Sequence, residues 1–212
     1  MTTKLAVTGI VTLIAGILWS AGHYPGGYWP LRNFVSELGW QHHSMQAWAF
    51  NRALTVSALL MFPAIWLLGR RLGSRVSRAA GWAGVVTMFS AAGLGFAPMD
   101  YLAPHIVLAL SFFGGLVLTV SLFLRAFMSR YRFTDSPLFV LASGATMAVC
   151  TVFLTIVVSG LVVFLKSDVK QSELGSFKRP EIWDIAILEW CVVGALLVWV
   201  LAVTRELKRL AR

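Results

Sequence analysis

The sequence predicts an all-α, polytopic membrane protein, a single bundle of six transmembrane helices. Its composition is the first reason, because 58% of the 212 residues are hydrophobic and only 13% are charged. This balance is far more apolar than that of a soluble domain. The second reason is that the apolar residues form runs long enough to cross a hydrocarbon core of about 30 Å, which takes about 20 helical residues.

Six apolar runs account for most of the chain. They cover Leu5–Ala21, Ala47–Leu68, Ala79–Phe96, Pro104–Phe127, Leu138–Leu165 and Ile182–Thr204. Each run is too long for a strand and lacks the alternation of apolar and polar residues that a transmembrane barrel requires. Because backbone polar groups inside a lipid bilayer must be satisfied within the protein, helices are the expected structure.

Basic residues beside the runs predict the orientation of the bundle. They cluster in the connection Arg70–Arg78, between residues 125 and 132, and in the tail from 205 to 212. The positive-inside rule places these segments, and with six spans both termini, in the cytoplasm. The loop 166–179 would then lie outside, although it also carries basic residues. We expect a multi-pass protein of the cell membrane, in a bacterium the inner membrane.

The formal net charge of +9 does not indicate a nucleic-acid partner. Basic residues lie at the ends of apolar runs and form no strip of interleaved aromatic and basic residues. We therefore expect membrane lipids as partners and no nucleic acid, and the chain is also compatible with a homo-oligomer.

The connection at residues 23–46 is the most unusual segment outside the runs. It interleaves aromatic and polar residues in the order HYPGGYWPLRNFVSELGWQHH. We expect residues 1–212 to form one domain in which this connection is partly interfacial and contains a short helix. Asn33 is a plausible cap, Phe34 and Leu38 would share a face, and Gly39 would end the helix. The alternative is a simple aromatic belt at the membrane surface.

Glu189 is the sharpest single signal, because it lies within the sixth apolar run. A lone carboxylate there is costly, so such groups usually face the bundle interior and mark a functional site. Arg52, near the start of the second run, is a candidate partner for Glu189, Glu37 or Asp100. A structural ion pair is as compatible with this pattern as a ligand clamp.

A second polar pair lies between the third and fourth runs, where Asp100 closely precedes His105. Such a pair is typical of an acid–base arrangement or of metal ligands. Asp100 and His105 are therefore the candidate ligands for zinc, the one cofactor that the sequence suggests. No HExxH or related spacing is present, and Cys150 and Cys191 lie singly within apolar runs.

Three short motifs carry a family resemblance. The segments NFVSELG, FNR and GFAPMD, the last followed by His105, resemble the six-helix membrane proteins grouped as domain of unknown function 998. The matching residues are Ser36, Glu37, Gly39, Asn51, Pro98, Asp100 and His105. Glu189 is similar to the family's acidic residue in the last helix, but Trp190 follows it where the resemblance implies a basic residue. Fainter similarity to DRAM-like membrane proteins and ceramidase-like hydrolases points toward lipids.

These residues predict an outward-opening polar pocket that binds a lipid headgroup or a similar amphiphile. The expected ligand-binding residues are Glu37, Asn51, Arg52, Asp100, His105 and Glu189. A lipid hydrolase or transferase, with or without zinc, is an alternative, and its candidate catalytic residues are Ser36, Asp100, His105 and Glu189. A small proton-coupled transporter, in which Glu189 changes its protonation state, is a further alternative.

Overall fold

The computed structural model describes residues 1–166 and 180–212, with side chains through residue 162 and again from residue 180. These ranges contain six long helices and no strand. The helices are α1 (Thr2–Gly22), α2 (Ala47–Arg71), α3 (Arg75–Leu94), α4 (Leu102–Met128), α5 (Pro137–Lys166) and α6 (Asp184–Arg209). Two short 3-10 helices cover Val35–Gly39 and Phe133–Asp135. The all-α prediction is confirmed, and the basic loop beyond α5 lies outside the described residues from position 167.

Five of the six helices are long and apolar enough to cross a membrane. They are α1, α2, α4, α5 and α6, and the chain is accordingly a multi-pass membrane protein. The exception is α3, whose first turn contains Arg75 and Arg78. Its start is fixed by a capping box in which the side chains of Ser74 and Ser77 each accept from the other's backbone N–H.

Most helices extend past the apolar runs that predicted them. At its end α2 continues through Arg70 and Arg71, and α6 continues to Arg209. Long basic side chains can bury their methylene stems and still place their charge in water, so a helix need not end where its apolar run ends. At its start, by contrast, α6 begins two residues after the predicted run, at Asp184.

The helices form a closed bundle in chain order. Each helix packs on the next one, and α6 returns to contact α1 and α2. Both termini lie at one end of the bundle, where Met1 and Ala211 line the same depression and the Arg71 guanidinium donates to the Leu207 carbonyl. We call this the basic end, and we call the opposite end, which carries residues 23–46, the loop end.

The bundle interior contains two groups of buried apolar side chains. The larger group includes Phe123, Phe127 and Trp199 near the basic end, all fully buried. The smaller group lies at the loop end, where Leu38 and Phe50 pack against residues of α1. Apolar side chains also cover much of the outer surface, as expected for helices in contact with lipid.

The 23–46 connection folds inward at the loop end. Its 3-10 helix contacts α1, α2 and α6, and Val35, Glu37 and Leu38 are buried. The short helix and its end at Gly39 are as predicted. The capping prediction for Asn33 is wrong: Phe34 holds that position. The Asn33 side chain instead accepts from the Trp29 N–H and donates to Glu37.

Candidate functional site

A cavity of about 90 Å³ lies beneath the 23–46 connection. Its polar lining residues are Ser36, Asn51, His105 and Glu189. The apolar lining residues are Leu13, Ile17, Val35, Phe50, Leu54, Leu94, Pro98, Ala109, Phe112, Phe113, Val193 and Leu196. We call this space the Glu189 cavity. Its polar residues lie toward the loop end, and its apolar walls extend deeper between the helices.

Glu189 lies in the second turn of α6 and is only 7% exposed. One carboxylate oxygen accepts a 2.6 Å hydrogen bond from the Val35 N–H and a longer bond, 3.4 Å, from the Ser36 N–H. The Ser36 hydroxyl also interacts with this carboxyl group. These are the first N–H groups of the 3-10 helix, which have no partner within the helix itself. The carboxylate therefore caps the 3-10 helix and ties the connection to α6.

His105 lies in the first turn of α4 and also lines the cavity. Its Nδ1 is 2.9 Å from the carbonyl oxygen of Ala97. A carbonyl oxygen only accepts, so Nδ1 carries the proton, and in the neutral ring Nε2 is then an acceptor. No described residue is hydrogen-bonded to this Nε2.

Asn51 joins the first turns of α2 to the connection. It is 5% exposed, and its side-chain amide donates to the Gly39 carbonyl over 2.9 Å. A methyl group on Gly39 would lie only 2.2 Å from the Asn51 Oδ1. Glycine is thus required at position 39 by the close approach of the asparagine side chain.

Glu37 is fully buried but does not line the Glu189 cavity. The Tyr24 hydroxyl donates to its carboxylate over 3.0 Å, and the Asn33 amide donates to it over 2.9 Å. The neighbouring Tyr28 donates to the Phe34 carbonyl over 2.8 Å. Burial, and next the charge of Glu189, raise the pKa of Tyr28, so its hydroxyl remains a donor. Through these two hydrogen bonds, Glu37 links Tyr24 to Asn33 inside the connection.

Asp100 binds the other side of the same connection. It accepts from the backbone N–H groups of Gln41, over 2.8 Å, and His42, over 3.0 Å, and it pairs with the His42 ring. Its side chain is 4% exposed, whereas that of His42 is 84% exposed. Burial opposes ionisation, but the hydrogen bonds from His42 and Gln41 outweigh it and lower the pKa of Asp100. The partners of Asp100 and His105 therefore differ, and the structure does not form the predicted pair between them.

Arg52 is not part of this cluster. It is exposed, and its guanidinium lies 5.0 Å from the ring centroid of Trp48, one turn earlier on α2. The ion pairs within the described ranges are His42 with Asp100 and Arg209 with Glu206, so none joins Arg52 to Glu189, Glu37 or Asp100. For zinc, no group of three or more His, Cys, Asp or Glu side chains suited to a metal occurs among the residues described.

A comparison with known families identifies the family of this chain. A family model described as "Protein of unknown function (DUF998)" matches residues 6–206. The chain belongs to this family. No curated protein and no solved structure matches it. The membership confirms the resemblance that the motifs carry, and in this DUF998 member the motif residues Ser36, Asn51, Pro98 and His105 line one cavity.

Trp190 takes the position where the family resemblance implied a basic residue. Its indole N–H donates to the Asn33 carbonyl over 3.2 Å, and its ring meets Tyr28 edge-on. The backbone of the connection is also joined to α6 directly, because the Trp183 N–H donates to the Leu31 carbonyl over 2.8 Å. A neutral donor therefore serves at this position, and no ion pair with Glu189 is required.

Sequence reasoning missed several residues that hold the site together. The sequence suggested a membrane-surface belt for Tyr24 and Tyr28 and a departure from a motif for Trp190. In the structure all three donate hydrogen bonds to residues of the connection. Their signal in the sequence was the density of aromatic residues with a polar atom, which seek a hydrogen-bond partner when buried.

Proposed function

We propose that this protein binds an amphiphile in the Glu189 cavity, with the polar head beside Glu189 and His105 and the apolar chain directed into the bundle. The single observation that supports this most is the division of the cavity into one polar end and long apolar walls. A membrane lipid has the same division, and a head at the loop end would place its chain toward the bilayer centre.

The dimensions of the cavity limit what it can enclose. Its volume is about 90 Å³, well below the 300 to 1,000 Å³ that is usual for pockets that enclose a whole drug-sized ligand. Along α6 it extends from Glu189 to Leu196, which is about 10 Å at 1.5 Å per residue. The ligand would therefore insert a small head and a few carbon atoms, and the rest of its chain would lie in the membrane.

The head is expected to be a hydrogen-bond donor. The Glu189 carboxylate and the Nε2 atom of neutral His105 both accept hydrogen bonds. Asn51 already donates its amide to the Gly39 carbonyl, and no lysine or arginine lines the cavity. An alcohol or an ammonium head suits this lining, whereas a phosphate would bring a second negative charge next to Glu189.

Three ligands with the same chain and different heads test the proposal. Dodecan-1-ol, dodecylamine and dodecyl phosphate would be added to the protein in phosphatidylcholine nanodiscs, and the midpoint of thermal unfolding would be measured. The alcohol and the amine should raise the midpoint, because a ligand that binds only the folded state stabilises it. Dodecyl phosphate should not raise it. Equal stabilisation by all three compounds would contradict the proposed head chemistry.

Matched variants distinguish binding in the Glu189 cavity from general effects of amphiphiles on the stability of the protein. Glu189→Gln should abolish stabilisation by dodecylamine, whereas Asp184→Asn, an equal charge change at an exposed position of the same helix, should preserve it. His105→Asn removes the Nε2 acceptor but retains an N–H donor near the position of Nδ1, where it can still bind the Ala97 carbonyl. It should weaken stabilisation by dodecan-1-ol without the loss of fold that a broken Ala97 contact would cause.

A second candidate function is acyl transfer at Ser36. The observation that favours it is that Ser36, His105 and Glu189, three of the predicted catalytic residues, line the same cavity, and that the Ser36 hydroxyl interacts with Glu189. A serine beside a base can act as a nucleophile. A fluorophosphonate probe should then label the wild type but not Ser36→Ala. Absence of labelling on the folded wild type would leave binding as the only function proposed.

We also propose that α3 is a sixth span and that both termini are cytoplasmic, in the inner membrane of a bacterium. Support comes from Trp82, Val86 and Phe89, which lie on one face of α3 and are 63%, 64% and 54% exposed. An apolar face of this kind suits contact with lipid. Reporter fusions after residue 73 and after residue 98, on either side of α3, should report opposite sides of the membrane, and a fusion after residue 212 should report the same side as the one after residue 73. The same side for the first two fusions would contradict this topology.

A further inference from the structure

A second pocket lies at the opposite end of the bundle, in the hairpin between α2 and α3. It has a volume of about 320 Å³ and is lined by Trp66, Arg70, Gly73, Arg78 and Trp82. This size falls at the lower end of the usual range for ligand pockets. None of these residues lines the Glu189 cavity, and none belongs to the three motifs that carry the family resemblance.

The two helices present the same pair of side chains to this pocket in mirrored order. On α2 a tryptophan precedes an arginine by one turn, Trp66 and Arg70, and on α3 an arginine precedes a tryptophan by one turn, Arg78 and Trp82. Because the hairpin reverses the chain, both arginines lie nearer the basic end and both tryptophans lie about one turn, roughly 6 Å, deeper.

A close contact between the helices holds the two pairs together. A methyl group added to Gly69 would lie 2.9 Å from the Cα atom of Gly81 and 2.6 Å from the Ser77 carbonyl oxygen. Such backbone proximity is typical of glycine contacts in membrane bundles. The pocket is therefore set by the hairpin itself and not by flexible side chains alone.

The charge of the pocket is positive and uncompensated by any carboxylate that the structure describes. Neither Arg70 nor Arg78 takes part in the ion pairs of residues 1–166 and 180–212, and no acidic residue lines the pocket. Arg70 instead lies over the ring of Trp66, 5.0 Å from its centroid. A planar guanidinium that is stacked in this way still has N–H groups free to bind phosphate oxygens.

The location of the pocket indicates the source of the phosphate. Trp82 belongs to the exposed apolar face of α3 and is itself 63% exposed. Tryptophan is enriched at the level of lipid headgroups, and basic pockets between membrane helices suit anionic headgroups. We infer that Arg70 and Arg78 bind the phosphate of an anionic phospholipid, whose glycerol region contacts Trp66 and Trp82.

Native mass spectrometry of the full chain tests this site. The protein in detergent would be titrated with phosphatidylglycerol and, separately, with phosphatidylcholine of the same chains, and the bound lipid counted. We expect tighter binding of phosphatidylglycerol. The variant Arg70→Gln/Arg78→Gln should weaken it by about 30-fold, since each arginine near an anionic lipid contributes roughly fivefold. Both side chains are exposed, so the substitutions are compatible with folding, and each single variant should show about fivefold weakening.

The matched control is Arg75→Gln/Arg125→Gln, which removes the same charge at two exposed positions outside the pocket. It should leave the affinity for phosphatidylglycerol within about threefold of the wild type, because neither side chain lines the pocket and salt partly screens exposed charges that make no direct contact with the lipid. Equal weakening by both double variants would overturn the inference in favour of general surface charge. So would equal binding of the two lipids, or displacement of phosphatidylglycerol by an equal concentration of inorganic phosphate.

Discussion

Substitution of Gly39 by alanine tests the packing that joins the 23–46 connection to α2. The added methyl carbon would lie 2.2 Å from the Asn51 Oδ1 and 3.1 Å from a ring carbon of Phe50, whereas ordinary contact begins at 3.4 Å. Asn51 is 5% exposed and has little room to move. We therefore expect its side chain to be displaced and its hydrogen bond to the Gly39 carbonyl to break.

The magnitude follows from three contributions. A buried hydrogen bond that is lost costs about 1–3 kcal/mol, and overpacking costs about 1–3 kcal/mol. The smaller conformational freedom of alanine in the unfolded chain returns about 0.4–1 kcal/mol. The balance is a loss of about 3 kcal/mol in the free energy of unfolding, measurable by titration with sodium dodecyl sulfate from dodecylmaltoside micelles.

A double-mutant cycle identifies the cause of that loss. Asn51→Ala removes the group that the new methyl would strike, so Gly39→Ala in this background should cost less than about 1 kcal/mol, and the two changes should be non-additive. Gly114→Ala is the control, because a methyl there meets nothing within 4 Å, and it should not destabilise the protein. A cost for Gly39→Ala that is the same with and without Asn51 would refute the proposed clash.

Three further predictions concern buried charges. Glu189→Ala should destabilise the fold by about 2 kcal/mol because it leaves the buried Val35 N–H without an acceptor, whereas Glu189→Gln retains an acceptor and should cost less than about 1 kcal/mol. Asp100→Ala should cost about 1–2 kcal/mol at neutral pH, and the difference from wild type should vanish at acid pH. Arg209→Ala should destabilise the fold by about 3 kcal/mol, because it leaves the Glu206 carboxylate, which is 1% exposed, without its charged partner. Glu206→Gln removes that buried charge and should cost less.

The direction of the Asp100 effect follows from its lowered pKa. A carboxyl group whose pKa is lower in the folded than in the unfolded state stabilises the fold above the unfolded pKa and loses this effect as the pH falls through the folded pKa. Wild type and Asp100→Ala should thus converge below pH 3.8, the ordinary value. A gap between wild type and Asp100→Ala that stays constant as the pH falls would contradict the assignment.

The bundle could be predicted from the sequence because run length and the cost of exposed backbone in lipid leave few alternatives to helices. Helix ends could not, since Arg71 and Arg209 continue their helices beyond the apolar runs. The sequence also predicts the run Ala79–Phe96 as a sixth span, but the five helices that are long and apolar enough to cross a membrane do not include α3, whose sequence contains several glycines and two arginines in the first turn.

The burial of Glu189 was predictable from its position, but its partner was not. Its hydrogen-bond donors are backbone N–H groups of Val35 and Ser36, more than 150 residues away. A sequence reveals charged side chains as candidate partners, but it does not reveal which backbone N–H groups lack a partner in the folded chain. The same limitation applies to Asp100, which binds the backbone of Gln41 and His42. Arg52 was predicted as the partner of a carboxylate, but its guanidinium lies over the ring of Trp48, one turn earlier on α2.

Photo-crosslinking tests the central claim, that the Glu189 cavity receives the head of an amphiphile, most directly. A long-chain amine with a diazirine beside its amino group would be irradiated with the protein in phosphatidylcholine nanodiscs, and the labelled residues identified by mass spectrometry. We predict labelling at Ser36, His105 or Leu54, and its loss in Glu189→Gln but not in Asp184→Asn. Labelling confined to exposed positions such as Val7 and Val11 of α1, and equal in both variants, would contradict it.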